Sequence, residues 1–127
     1  MKYLDQWNEE RRKKAGIYTE KLASLNVVCP VEEDKVKPVY HLYVIRTQKR
    51  NDLQAFLKEK GIETLIHYPI PIHLQKAYED LGYRKGDLLM TERCSREVLS
   101  LPLFPELKDS EMEKVTGTIR LFFKRQN

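Results

Sequence analysis

The residues most able to do chemistry stand together in one short segment, HYPIPIH, which runs from residue 67 to residue 73. Its two prolines exclude a helix and keep the backbone extended or turned. Imidazole and phenol groups can each donate or accept hydrogen bonds. Because the segment follows a predicted strand, it lies where folds commonly place ligand-contacting groups. The segment is therefore either a binding loop led by His67 and Tyr68 or a rigid structural turn.

A zinc site built from His67, His73 and His41 is the less favoured interpretation of these histidines. Zinc ligands usually follow close spacings such as CxxC, whereas two prolines separate the first two histidines here. No nucleophile elbow surrounds a serine or cysteine, and no phosphate-binding loop occurs among the five glycines. The sequence therefore predicts no metal site, no cofactor site and no complete catalytic apparatus within the chain.

The bulk composition predicts one soluble, cytoplasmic domain. The 127 residues suit a single domain, and the net charge of +4 is mild, with acidic neighbours beside most basic clusters. Two distant cysteines form no disulfide framework and suit a reducing compartment. No segment approaches the roughly 20 apolar residues of a membrane span, and the first residues contain no secretory signal. We therefore expect no nucleic-acid partner and no membrane partner.

Apolar spacing predicts nine elements in the order α-β-β-α-β-α-α-β-α. Helices are predicted over residues 4–25, 51–60, 74–81, 87–94 and 110–122, and strands over residues 27–31, 39–46, 62–66 and 98–103. Gly61 and Gly82 are predicted helix stops, and Ser110 with Glu113 is a predicted capping box. This order favours an α/β (α+β) fold, a small two-layer domain in which a few-stranded sheet packs against helices.

The predicted core is uneven along the chain. The stripe of Leu53, Phe56 and Leu57 is predicted to be buried, as are Leu89, Met90 and Cys94 further on. The first helix, in contrast, has an apolar face interrupted by the polar run 9–14, and it leaves Trp7 exposed. Such a helix is typical of one that packs against another part of a larger protein.

Several segments resemble the DegT/DnrJ/EryC1/StrS sugar aminotransferases in their order and spacing. They comprise the helix Asn8–Leu22, HLYVIR at 41–46, residues 50–64, HYPIPIHLQKAYEDLGY at 67–83, Gly86-Asp87 and LSLPLFPEL at 99–107. The most specific of these is HYPxPxHxQ followed by LSLP.

The resemblance implies that residues 1–127 form one domain, equivalent to the last third of such an enzyme. Residues 1–25 would be the interdomain helix and residues 26–127 the small domain. The cofactor lysine and the groups that hold pyridoxal phosphate would lie in a large domain missing from this chain. The intact enzyme, typically a homodimer, would transfer an amino group, usually from glutamate, to a nucleotide-linked keto sugar in polysaccharide, cell-surface or antibiotic sugar biosynthesis. The chain alone would be inactive.

The resemblance also suggests roles for four residues. His67 and Tyr68 match the family's HY pair and are expected to contact the sugar nucleotide. His73 and Gln75 follow in the same motif, either as further substrate contacts or as braces of the loop. The alternative to an aminotransferase domain is a stand-alone, non-catalytic binding or interaction module that kept the small-domain fold.

Overall fold

The structure is a computed structural model that describes residues 2–125. It contains four α-helices, α1 (Leu4–Leu22), α2 (Arg50–Glu59), α3 (Leu89–Glu97) and α4 (Asp109–Lys124), and two strands, β1 (Tyr43–Arg46) and β2 (Val98–Leu101). Two 3₁₀ helices, Ile72–Leu74 and Lys76–Leu81, lie between α2 and α3. In the part of the chain that is described, no helix has the length and apolarity needed to cross a membrane.

The two strands form an antiparallel sheet, with Tyr43 opposite Leu101 and Arg46 opposite Val98. On its outer edges, Val28 bridges Arg46 and Leu65 bridges Ser100. The expected α+β fold of helices and a small sheet is therefore confirmed.

The predicted strands are longer than those observed. Segments 27–31 and 62–66 each contribute one bridge rather than a strand. In the first segment, Pro30 lacks the N–H that a longer ladder needs. β1 begins only at Tyr43 because Tyr40 has a positive φ of 48°, which interrupts the extended backbone. Pro102 follows β2 directly and cannot donate to the ladder.

The core lies between the sheet and the helices. Helix α4 packs against α1 and α2, α2 packs against β2, and α3 packs against β1. Residues that are completely or almost completely buried include Tyr18, Leu22, Tyr43, Ile45, Leu53, Leu57, Leu99, Met112 and Ile119. The predicted apolar stripe of α2 is thus confirmed at Leu53 and Leu57, and Phe56 packs partly buried against the same core.

Only the second half of α1 is anchored to this core. Tyr18 donates a hydrogen bond from its hydroxyl to the carbonyl oxygen of Pro102 (2.9 Å), and Lys14 donates from Nζ to that of Pro105 (2.7 Å). In the first half, Leu4 and Trp7 remain 42% and 40% exposed, as the interrupted apolar face predicted. The second half of α1 therefore fixes the segment that follows β2, whereas the first turns of α1 expose apolar side chains.

Helix α3 corrects one sequence expectation. Leu89 and Met90, predicted to be buried, are 72% and 62% exposed, whereas Glu92, Ser95 and Glu97 are buried. Glu92 is stabilised by His73 and by the Gly86 N–H, which lie outside the helix and which helical spacing does not reveal. Glu97 pairs with Arg93 one turn earlier in α3 and with Arg46 of β1. α3 therefore presents a polar face to the domain.

Helix ends agree with the predictions in part. Gly61 and Gly82 adopt left-handed φ values of 71° and 76°, as expected of residues that stop helices. Helix α4 begins earlier than predicted, and Glu111 rather than Glu113 accepts the reciprocal bond, from the Lys108 N–H at 2.8 Å. The predicted helix 74–81 is instead two 3₁₀ turns, because the backbone at Gln75 is extended.

Candidate functional site

His67 is held at the edge of the sheet. Its Nδ1 atom lies 2.8 Å from Oγ of Ser100, a buried residue of β2. Leu65, two residues earlier, forms the bridge to the same serine, so both backbone and side chain of this segment are tied to β2. The other ring nitrogen, Nε2, makes no hydrogen bond within residues 2–125. His67 therefore offers one nitrogen in a fixed orientation.

Tyr68 stands beside His67 and faces outward. Its side chain is 71% exposed, and its ring meets the imidazole edge-on, with centroids 5.6 Å apart. The peptide bond that joins the two residues is cis. Within the described residues the phenol hydroxyl makes no hydrogen bond, so it can bind a ligand at no cost to the fold.

Two clefts meet at His67. The first, which we call the Tyr68 cleft, has a volume of about 190 Å³ and is lined by Tyr68, Ile72, Cys94 and Val98 among others. The second, which we call the Glu63 cleft, has a volume of about 290 Å³ and is lined by His41, Leu42, Glu63, Thr64, Leu65 and Ser100 among others. Because His67 lines both clefts, a ligand in either one lies beside this residue.

His73 is turned into the domain. It is 7% exposed, and its Nε2 atom lies 3.2 Å from Oε1 of Glu92, which also accepts the N–H of Gly86 at 2.7 Å. The Gly86 N–H and, after it, His73 lower the pKa of the Glu92 carboxyl. The other ring nitrogen of His73 is buried without a partner among the described residues. His73 thus ties the loop to α3.

Gln75 braces the same loop from within. Its side-chain amide donates to the carbonyl oxygen of Ile70 at 3.3 Å, and its backbone N–H donates to that of Ile72 at 3.0 Å. Of the four site residues predicted from the sequence, His67 and Tyr68 lie together at the edge of the sheet, where the two clefts meet. His73 and Gln75 support the segment from behind, and their contact with substrate remains a prediction.

Sequence reasoning missed two residues that position the site, Ser100 and Glu92. Ser100 is a polar residue inside an apolar strand, and this signal was available in the motif LSLP. Glu92 lies on the face of α3 where an apolar residue was expected. In both cases a buried polar side chain needs a partner, and the partner is a histidine of the 67–73 segment.

The described residues 2–125 contain no group of three or more His, Cys, Asp or Glu side chains that could hold a metal ion. His41, His67 and His73 therefore do not form a group of three ligands in this part of the chain, although His41 and His67 line the same cleft.

The DegT/DnrJ/EryC1/StrS aminotransferase family model matches residues 1–120. The chain belongs to this family. It is 46% identical over 125 residues to the pleiotropic regulatory protein of Geobacillus stearothermophilus and 38% identical over 124 residues to the dTDP-3-amino-3,4,6-trideoxy-alpha-D-glucose transaminase of Streptomyces venezuelae. These matches cover 96% and 97% of this chain but only 34% and 33% of the relatives. The chain thus spans about a third of the length of the relatives it matches.

Solved structures of aminotransferases share this fold. The S. venezuelae DesV structure, in complex with a ketimine intermediate, superposes with a TM-score of 0.93 at 37% identity, covering 97% of this chain and 33% of that one. The structure of NtdA from Bacillus subtilis, with the cofactor PMP bound, gives a TM-score of 0.87 at 32% identity, covering 98% and 30%. The small α+β fold is therefore that of a part of these enzymes.

The residues around His67 do not fit pyridoxal phosphate. Neither the Tyr68 cleft nor the Glu63 cleft has a lysine or arginine in its described lining. The clefts thus offer neither an amine that could bond the cofactor's aldehyde nor a cation for its phosphate. What they offer is hydrogen-bonding groups, among them the carboxylate of Glu63, and apolar walls, which suit contact with a substrate.

Proposed function

We propose that this chain is the C-terminal small domain of a pyridoxal-phosphate-dependent aminotransferase that transfers an amino group to a nucleotide-linked keto sugar. Glutamate is the amino donor that the family resemblance favours. The proposal is supported by family membership and by the names of the relatives, which include dTDP-sugar transaminases. Residues 1–25 would be the interdomain helix and residues 26–127 the small domain.

The observation that carries the proposal is the pairing of a fixed imidazole with an exposed phenol at the junction of two clefts. Ser100 holds Nδ1 of His67, so the free Nε2 atom points in a defined direction. If the serine hydroxyl donates to Nδ1, Nε2 carries the proton and donates to a sugar or phosphate oxygen. If Nδ1 donates to the serine, Nε2 accepts from a sugar hydroxyl. Tyr68 adds a second donor beside it.

Pyridoxal phosphate would supply the electron sink for amino transfer. We assign its binding to the large domain, outside this chain, since the clefts beside His67 lack the groups to hold it. His67 and Tyr68 would then bind and orient the sugar nucleotide. His73 and Gln75 would complete the substrate-binding segment, chiefly by fixing its shape through Glu92 and Ile70.

Exposed apolar side chains in two parts of the chain support the proposed partners. Leu4 and Trp7 at the start of α1 would pack against the large domain. Ile72, Leu89 and Met90 are 64%, 72% and 62% exposed and would meet the second subunit of a homodimer. Because both cysteines are free thiols, we also place the enzyme in a reducing compartment, the cytoplasm.

A hybrid enzyme tests the function. This chain would replace the third of the S. venezuelae transaminase that it matches, and amino transfer to that enzyme's nucleotide-linked keto sugar would be measured. We expect activity from the hybrid and none from this chain alone. A hybrid that folds and binds the cofactor but transfers no amino group, while the parent enzyme is active, would contradict the proposal and favour a non-catalytic module.

A further inference from the structure

A basic cleft lies at the other edge of the sheet from His67. Segment 24–26 leads into the Val28 bridge to β1, whereas the Leu65 bridge joins β2, so both strands lie between the two places. The cleft, which we call the Arg120 cleft, has a volume of about 350 Å³. Its described lining comprises Ser24, Leu25, Asn26, Lys49, Arg120, Phe123 and Lys124. This lining contains three basic residues and no acidic one.

Two of the cations lie on one face of α4. Arg120 and Lys124 are four residues apart, so their side chains are neighbours, and like charges at this spacing repel each other. Both side chains are exposed, and neither forms a hydrogen bond or ion pair within residues 2–125. The last acidic residue of α4, Glu113, lies two turns earlier and pairs with Lys21. The described chain therefore leaves this repulsion uncompensated, and a bound anion would relieve it.

Neutral groups complete the Arg120 cleft. The side chains of Ser24 and Asn26 are exposed and make no hydrogen bond among the described residues, so their hydroxyl and amide can donate to an anion. Phe123 supplies an apolar wall. Its ring meets that of Phe122 edge-on, with centroids 5.1 Å apart, and it packs partly buried against the core. The cleft thus combines available polar donors with an aromatic ring held in place.

The charge of the cleft indicates which anion it can bind. Lys49, the residue before α2, adds a third positive charge to those of Arg120 and Lys124. One phosphate group carries a charge of about −1.5 to −2 at neutral pH, so two linked phosphates balance three cations more fully. Arginine can bond two phosphate oxygens at once, whereas lysine acts as a point charge. Because a concave surface of one sign concentrates small ions of the other, these features match a diphosphate.

We propose that the Arg120 cleft is a second binding site, which takes the diphosphate group of a small molecule. The site goes beyond the proposed function, because it shares no residue with the segment that includes His67 and Tyr68. Inorganic pyrophosphate and a nucleoside diphosphate both carry this group. In the second case the base would stack on Phe123.

Four probes test the site in the isotope-labelled 127-residue chain, followed by amide NMR at low salt. Pyrophosphate and ADP should shift the signals of Asn26, Arg120 and Lys124. Sulfate, a single dianion, and adenosine, which has no phosphate, should each bind at least about tenfold more weakly than ADP. ADP that binds about tenfold more tightly than pyrophosphate would identify a nucleotide as the ligand, and equal affinities would identify the free diphosphate.

Variants separate binding from the stability of α4. Arg120→Gln and Lys124→Gln should each weaken pyrophosphate binding about tenfold. Lys58→Gln is the matched control, because Lys58 lies in the last turn of α2 as Lys124 lies in that of α4, but it does not line the cleft. Cations in the last turn stabilise a helix, so melting curves of both lysine variants without ligand measure that effect alone. The control should leave the affinity for pyrophosphate unchanged.

Three results would overturn the site. The first is pyrophosphate that shifts none of the signals of the Arg120 cleft. The second is Lys124→Gln that binds pyrophosphate as tightly as the unchanged chain, since Lys124 would then only stabilise the end of α4. The third is sulfate that binds as tightly as pyrophosphate, which would contradict a diphosphate. None of these results bears on the proposed function, which the hybrid enzyme tests separately.

Discussion

Replacing Tyr68 with phenylalanine removes one oxygen atom from an exposed side chain. The ring is 71% exposed, and its hydroxyl makes no hydrogen bond within the described residues. The fold therefore loses no contact, and we expect the free energy of unfolding to change by less than about 0.5 kcal/mol. Any loss of activity in this variant must then come from the bound state.

The expected loss follows from one hydrogen bond. A phenol that donates to a neutral sugar oxygen contributes about 0.5–1.5 kcal/mol, and a bond to a charged phosphate oxygen contributes more. A loss of about 1.4 kcal/mol in the transition-state complex lowers kcat/KM for the sugar nucleotide about tenfold. Tyr68→Phe should show this loss in the hybrid enzyme.

Tyr78→Phe is the matched control for this prediction. Tyr78 is 44% exposed in the 3₁₀ helix Lys76–Leu81, and it lines neither of the clefts beside His67. The control should retain full kcat/KM and the same melting temperature. Equal kcat/KM values for the two variants would refute the assignment of Tyr68 to the substrate. A lowered melting temperature for Tyr68→Phe would show instead that the segment is a structural turn.

Three further predictions follow from the packing and the charges. Ile119→Ala should destabilise the domain by about 2–5 kcal/mol in urea unfolding, because the side chain is completely buried, whereas Leu121→Ala on the exposed side of α4 should cost less than about 1 kcal/mol. The Gly86 N–H lowers the pKa of the Glu92 carboxyl in the folded state. The ionised carboxylate therefore stabilises the fold above the ordinary glutamate pKa of 4.5, and this stabilisation should be lost as the pH falls through the lowered pKa. Melting curves of Glu92→Gln should lack this part of the pH dependence. Trp7→Gln should reduce self-association of the isolated chain in sedimentation, since it removes exposed apolar surface, and an unchanged association would show that α1 does not drive it.

The elements that the sequence predicted correctly are those whose cause is local. The apolar stripe of α2, with Leu53 and Leu57, follows from helical spacing alone. Gly61 and Gly82 stop helices because they adopt a left-handed backbone that other residues avoid. The position of His67 just beyond the Leu65 bridge also follows from the order of the segments. For these features no long-range information was needed.

The features that the sequence did not reveal depend on partners far along the chain. Ser100 lies 33 residues from His67, and Glu92 lies 19 residues from His73. Neither hydrogen bond can therefore be predicted from the periodicity of the sequence. The same cause explains α3, where a buried carboxylate replaces the expected apolar contact. The clefts are likewise invisible in the sequence, because residues of three distant segments form the Glu63 cleft. Long-range side-chain contacts therefore determine the chemistry of the site, whereas the local sequence pattern determines where the helices form.

The most direct test of the central claim compares the two half-reactions in the hybrid enzyme carrying His67→Asn. The asparagine amide can keep the bond that Nδ1 makes to Ser100, but it lacks the Nε2 atom that would meet the substrate. In single-turnover experiments, we expect the reaction with the sugar nucleotide to slow by about tenfold, the scale of one hydrogen bond, while the reaction with the amino donor keeps its rate. Equal losses in both half-reactions, together with a lowered melting temperature, would contradict the claim that this domain binds the sugar nucleotide through His67.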